Sequence, residues 1–245
     1  MLTSDETATP CVDCGAEMQG IYVKIIGKHF THKRCDECDM IHRRKTTEQH
    51  LSLYRARIPT IMRELCGVPP HFTGATIAQL PRSLSKAAQF PPKGAYLTGP
   101  PGTGKTFAGA AYISQYLNDH PPPDGEYAAK ALPLFLCVPE FLRDVRTTFS
   151  NNTTEASVTT PYEQCPLLVI DDIGSEKATE WSLQTLFILI DSRWKHERQT
   201  VVTSNISLDK LADKLSDRIA SRIGGMCKIY QTAGRDQRIH RKERT

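Results

Sequence analysis

Apolar residues arrive along this chain in two rhythms. Short continuous runs stand at "AYLT" (95–98), "PLFLCV" (133–138), "PLLVIDD" (166–172), "TVVTSN" (200–205) and "CKIY" (227–230). Each is too short for a helix and predicts a buried strand. Between them the pattern changes to helical spacing. "TFAGAAYISQYL" (106–117) predicts one helix, and "EFLRDVRTTF" (140–149) another, with Pro139 fitting its first position. A stripe of Leu183, Leu186, Phe187, Ile190 and Trp194 predicts a helix over 181–195 with these residues in the core. Leu208, Leu211, Leu215 and Ile219 predict a single helix over 207–220. Residues 118–131 and 150–164, rich in Pro or Thr, read as loops. Strands alternating with helices imply an α/β fold, a parallel sheet with helices on both faces.

The N-terminal part breaks this rhythm. "IYVKII" (21–26) is β-rich, and Gly27 then turns the chain. A charged stretch from Cys38 to about Cys66 reads as helical, and "GVPPHFTGATIAQLP" (67–81) ends it with Pro69, Pro70, Gly74 and Pro81. The expected organisation is a small module over 1–40, a basic helical linker over 41–67 and the α/β domain over 68–245.

Composition adds limits. Hydrophobic residues make up 39% of the 245 and charged ones 24%, values that suit a folded globular chain and not a disordered one. No apolar run approaches the length of a membrane span. "MLTSDETATP" has no signal-peptide core, so the expected location is cytoplasmic, without membrane contact. The net charge of +4 is mild, but it is unevenly placed. Arg43, Arg44, Lys45, Arg55, Arg57 and Arg63 face one acid, Glu48, and a second basic run begins at Lys228. Two readings stand for these runs: solvated faces, or contact with a phosphate backbone.

Four of the eight cysteines form two pairs, Cys11 with Cys14 and Cys35 with Cys38. Two intervening residues let a turn aim both sulfurs at one point, and two such knuckles make a tetrahedral thiolate cage suited to zinc. A pair of redox dithiols is the alternative, disfavoured by a reducing compartment. His29 and His32 lie close enough in sequence to replace a cysteine. Such a module would fold largely on its metal, and its role is either protein docking or nucleic-acid contact. The single cysteines Cys66, Cys137, Cys165 and Cys227 read as small core residues.

The densest chemistry is "GPPGTGKT": Gly99, Pro100, Pro101, Gly102, Thr103, Gly104, Lys105 and Thr106. It follows a strand and opens a helix, the context a phosphate-binding loop requires. Backbone N–H groups curl around phosphate oxygens, and the helix N-terminus adds its dipole. Lys105 would reach the β- and γ-phosphates of ATP, and the Thr106 hydroxyl would ligate Mg2+. Asp171, at the tip of an apolar strand, is the second candidate magnesium ligand. Asp172 follows and would orient the attacking water.

Together these motifs resemble the AAA+ ATPases, and most closely the bacterial and phage replicative-helicase loaders of DnaC type and the ATP-binding helpers of insertion-sequence transposition. The resemblance covers about residues 65–240. "GVPPHFTGATI" is similar to the family's opening segment, "GPPGTGKT" to its Walker A and "LLVIDDIG" to its Walker B. It implies catalytic roles for Lys105, Asp171 and Asp172, the last an Asp where many AAA+ proteins have Glu, which implies slow hydrolysis. "TVVTSN" is similar to sensor 1 and implies Asn205 as the residue that polarises water. "DRIASRI" implies Arg222, or alternatively Arg218, as an arginine finger reaching a neighbouring subunit. "GRDQR" implies Arg238, with Arg235 as its rival, as sensor 2. Lys177 and Trp181 fall where the family places its DNA-binding helix; Trp181 reads equally as core. The resemblance thus implies an ATPase that uses ATP and Mg2+, assembles into an ATP-dependent oligomer, grips single-stranded DNA and loads a replicative DNA helicase. A transposase helper would share every core motif. A small-substrate P-loop kinase, or a zinc-dependent regulator with nucleotide as a switch, are the rivals of other classes.

Overall fold

The computed structural model describes residues 2–23, 28–30, 33–81, 84–85, 94–122, 131–150, 153–234 and 236. It divides into two compact units, Met1–Arg55 and Ala56–Thr245. In the first, strands β1 (Leu2–Pro10), β2 (Glu17–Val23) and β3 (Lys28–Phe30) form an antiparallel sheet in the order β1-β2-β3. β2 and β3 are the expected hairpin, and β1 is an addition that the polar N-terminus did not suggest. Helix α1 (Asp36–Glu64) starts in this unit and ends in the second. Its first turn carries Asp36, Glu37 and Asp39 and its last Arg63, charges that complement the helix dipole.

The second unit is built on five parallel strands, β4 (Gly94–Thr98), β5 (Leu134–Cys137), β6 (Leu167–Asp171), β7 (Gln199–Ser204) and β8 (Lys228–Gln231), in the order β5-β6-β7-β4-β8. The expected α/β class and all five strands are present. β4 and β6, at the centre, are buried at every position, as a sheet covered on both faces demands. Helix α2 (Lys105–Asp119) lies directly on it. A Cβ at Gly109 would come within 2.7 Å of Val169 Cγ1, so only glycine admits this approach of helix to β6. Ala108, Ala110 and Ala111 are buried beside it. The small-residue face fixes where the helix N-terminus lies.

Helices α3 (Val138–Thr147), α4 (Glu155–Gln164), α5 (Glu180–Lys195), α6 (Leu208–Lys214) and α7 (Asp217–Met226) complete the unit. Three sequence expectations need correction. The stretch 150–164 is not all loop. Thr154 caps α4 by accepting from the Ser157 N–H, and Val158 and Tyr162, one turn apart, pack on the core. That packing outweighs a poor helical composition. The single helix over 207–220 is two, because Ser216 is extended and its hydroxyl caps α7 at the Ile219 N–H. Trp194 is not core but 38% exposed. The inward row of α5 runs through Leu186, Leu189, Ile190 and then Arg193, which is fully buried. Arg193 donates to the carbonyls of Tyr162, Cys165 and Gln199 and to Thr200 Oγ1 at 2.6–3.0 Å, so its charge is shared among carbonyl dipoles. Of the single cysteines, Cys66, Cys165 and Cys227 are buried and Cys137 is half-buried. Among the described residues no helix is long and apolar enough to cross a membrane.

Candidate nucleotide and metal sites

β4 delivers the chain to the loop at 99–104, and α2 carries it away. Gly104, at φ 89°, is the N-cap of α2, and no side chain caps that end. The first N–H groups of the helix therefore remain available to an anion. Lys105 is buried, and its Nζ donates at 2.8 Å to the carbonyls of Gly99 and Pro100. The cation is thus folded back over the loop whose phosphates it would meet.

The acidic strand tip stands beside it. Thr106 Oγ1 donates to Asp171 Oδ2 at 3.2 Å, so both candidate magnesium ligands share one place. They are hard oxygen donors from two elements, the chemistry Mg2+ takes. Burial pushes the Asp171 carboxyl up, and hydroxyl donation by Thr203 (2.6 Å) and Thr106 pulls it back toward the ionised form a metal needs. Asp172 follows with φ 59°, turning the chain out of the strand. Its N–H donates to Thr203 Oγ1 at 3.0 Å, and its Oδ1 accepts from Asn205 Nδ2 at 2.9 Å. The structure therefore brings together Lys105, Thr106, Asp171, Asp172 and Asn205. It adds Thr203, which bridges both acids and which sequence reading passed over. Strand alternation, which puts Thr203 on the same side of β7 as Asn205, was the available signal.

Other expected residues lie elsewhere. Arg222 is joined to α5: its Nε donates to Asp191 Oδ1 at 2.7 Å, and its guanidinium lies 4.0 Å from the centre of the Trp194 ring. Lys195 also meets Asp191, and these two hydrogen-bonded cations hold its carboxyl below the ordinary range. Arg218 is exposed, with its guanidinium over Phe187. Lys177 is exposed. Trp181 is half-buried, with Arg146 4.9 Å from its ring centre and Phe149, 61% exposed, edge-on to it. Arg235 and Arg238 lie outside the described residues, as do His32 and the side chain of His29.

In the first unit the four sulfurs of Cys11, Cys14, Cys35 and Cys38 lie within 4.8 Å of one another. Cys14 and Cys35 are 3.7 Å apart. A tetrahedral zinc site with bonds of about 2.3 Å places its sulfurs ~3.8 Å apart, so the spacing fits. The knuckles are built by the backbone. Gly15, at φ 75°, donates to the Cys11 carbonyl, and Cys11 donates to Ala16. Val12 N–H to Lys33 O and Arg34 to Asp13 tie one knuckle to the other. Without a cation the thiols divide. Backbone N–H groups of Cys35 and Cys14 lower Cys11 to about 6, whereas hydrogen bonding with Cys14 and Cys35 pushes Cys38 up. Four sulfurs this close cannot all ionise without a positive ion between them.

Comparison with known proteins bears on the second unit. The model of a family described as IstB-like ATP binding protein matches residues 91–245. Among solved structures, the DnaC helicase loader superposes with a TM-score of 0.56 at 20% identity, covering 67% of this chain and 100% of that one. DnaI gives 0.54 at 22%, covering 69% and 93%. The replication initiator DnaA bound to AMPPCP and single-stranded DNA gives 0.55 at 18%, covering 69% and 51%. At these identities the likeness establishes the fold alone. No curated protein matches the chain.

Proposed function

Since the chain belongs to the IstB-like ATP-binding protein family, we propose that it hydrolyses ATP and uses the cycle to load a replicative helicase onto single-stranded DNA. The observation that carries the ATPase is the junction of Thr106, Asp171, Thr203, Asp172 and Asn205 beside the Lys105 loop. The backbone of Gly99, Pro100, Pro101, Gly102, Thr103 and Gly104 and the Lys105 ammonium hold the phosphates; Thr106 and Asp171 hold Mg2+, which would neutralise charge on the transferred group. Asn205 fixes the Asp172 carboxylate, which orients a water. Arg222, once released from Asp191, reaches a neighbouring copy in an ATP-dependent oligomer, and Arg238 serves the same nucleotide as sensor 2. Trp181 and Phe149 with Arg146, and Lys177 nearby, form an aromatic and cationic patch for unstacked bases and their phosphates. Zn2+ held by Cys11, Cys14, Cys35 and Cys38 organises residues 1–40 as a docking head for the helicase, with the basic linker 41–67 between it and the ATPase domain 68–245.

The helicase-loader reading is supported by the likeness to DnaC, all of whose chain is covered. The motifs shared with ATP-binding helpers of insertion-sequence transposition support a second reading, a helper of a transposase, which an IstB-like ATP-binding family also accommodates. A pull-down with purified replicative helicase and purified transposase, with ATP and single-stranded DNA present, separates them. Retention of the helicase alone supports the first reading, and retention of the transposase alone overturns it.

A further inference from the structure

The segment that leaves β8 lies across the phosphate loop. Thr232 is buried, and its N–H donates to the Thr98 carbonyl at 2.6 Å. Its hydroxyl oxygen lies 3.1 Å from the same carbonyl oxygen and 2.7 Å from the Thr103 hydroxyl. Thr103 Oγ1 in turn donates to Pro100 O at 2.9 Å, within the loop. A hydroxyl has one proton. With the Thr103 proton on Pro100 O, its oxygen is left to accept from the Thr232 hydroxyl, while Thr98 O keeps the Thr232 N–H. The fit is close elsewhere too. A Cβ on Gly99 would collide with the Thr232 carbonyl and hydroxyl, and one on Gly102 with the Asp236 carboxylate. At both ends of its curl, the loop is therefore shaped against residues well over a hundred positions later in the chain.

We infer that Thr232 is a positioning residue of the nucleotide site. It touches no phosphate. It acts through Thr103 and Thr98, holding the loop in the curl whose N–H groups receive the phosphates. The cost of ordering that loop is met in the fold and not at the moment of binding, which is the physical basis of preorganisation. The same segment continues directly from α7, the helix of Arg222, through β8. This inference rests on the reading of residues 99–106 as a triphosphate site.

The test is a titration of the full chain with a fluorescent ATP analogue and Mg2+, for Thr232→Val, Thr232→Ser, Thr103→Val, the double Val variant and Lys105→Ala. Thr232→Val keeps shape and removes the hydroxyl, and about a tenfold rise in Kd is expected. Thr232→Ser restores affinity to within about twofold, which a purely steric role of the methyl group would not allow. Thr103→Val is at least as weak as Thr232→Val, since it also loses the Pro100 carbonyl, and the double variant is no weaker than Thr103→Val, because their shared contact is already gone. If Thr232→Val is insoluble, Thr103→Val, on the loop itself, carries the test. Wild-type affinity in Thr232→Val or Thr103→Val, alongside a large loss in Lys105→Ala, overturns the inference. Wild-type affinity in Lys105→Ala overturns the triphosphate reading beneath it.

Discussion

The phosphate loop and the cysteine cluster are both ligand sites in waiting, yet they are built in opposite ways. The loop is held by protein alone. Thr232, Thr103 and Lys105 satisfy its carbonyls, α2 packs on β6 without room for a methyl group, and a large apolar core lies beneath. Around the cluster, among the described side chains of Cys11–Cys38, only Cys11 is buried. Its four sulfurs are close enough to share a cation and too close to ionise without one. A site that a fold supports can stand empty. A site of four crowded thiols calls for its cation.

That contrast can be broken most sharply at the cysteines. Cys14→Ser with Cys35→Ser should abolish the folding of the first unit, as structural zinc supplies ~10 kcal/mol or more to such modules. Wild-type protein should carry about one zinc per chain by elemental analysis, and the variant almost none. Proteolysis should then cut within the first unit while the melting of the second is unchanged; joint melting would refute the contrast. Next in size, Lys105→Ala should weaken nucleotide binding on the order of a hundredfold, with the fold intact by circular dichroism, since it removes a charged donor from a loop that Thr232 and Thr103 still hold. Asp172→Asn should then cut ATP turnover by about a hundredfold while leaving nucleotide affinity near that of wild type, as steady-state kinetics and titration would show.

The smallest effect is also the most diagnostic. Burial raises the Asp171 pKa above that of the unfolded chain. Between the ordinary carboxylate value and the raised one, the folded state keeps a proton the unfolded state has lost, so stability falls as pH rises through that window. Asp171→Asn removes this penalty. It should raise the melting temperature of the nucleotide-free protein by a few degrees at pH 7 and by less near pH 4, while Mg2+-dependent binding is lost. An equal or lower melting temperature at pH 7 would show that the hydroxyl donors already compensate the buried charge.

Local chemistry explains what could be read in advance. "GPPGTGKT", "LLVIDD" and the two cysteine pairs are continuous in sequence, and their spacing states their geometry. The five strands were legible because buried parallel strands are unbroken apolar runs. α4 was not, because the packing of Val158 and Tyr162 that makes it helical is tertiary. Arg193 and Thr232 were equally invisible. An arginine beside an apolar stripe looks like a surface charge until five carbonyl and hydroxyl oxygens converge on it, and a threonine after the last strand says nothing until the chain returns to the loop. The Arg222 pair with Asp191 was hidden for the same reason, its partners lying one helix away.

Arg193 has one more consequence. Its guanidinium ties the residues leading into β6 and β7 to each other and to α5, at the edge of the sheet opposite the acids and the glycine loop. One rim of the sheet is bolted, and the other, where ligands arrive, is made of turns.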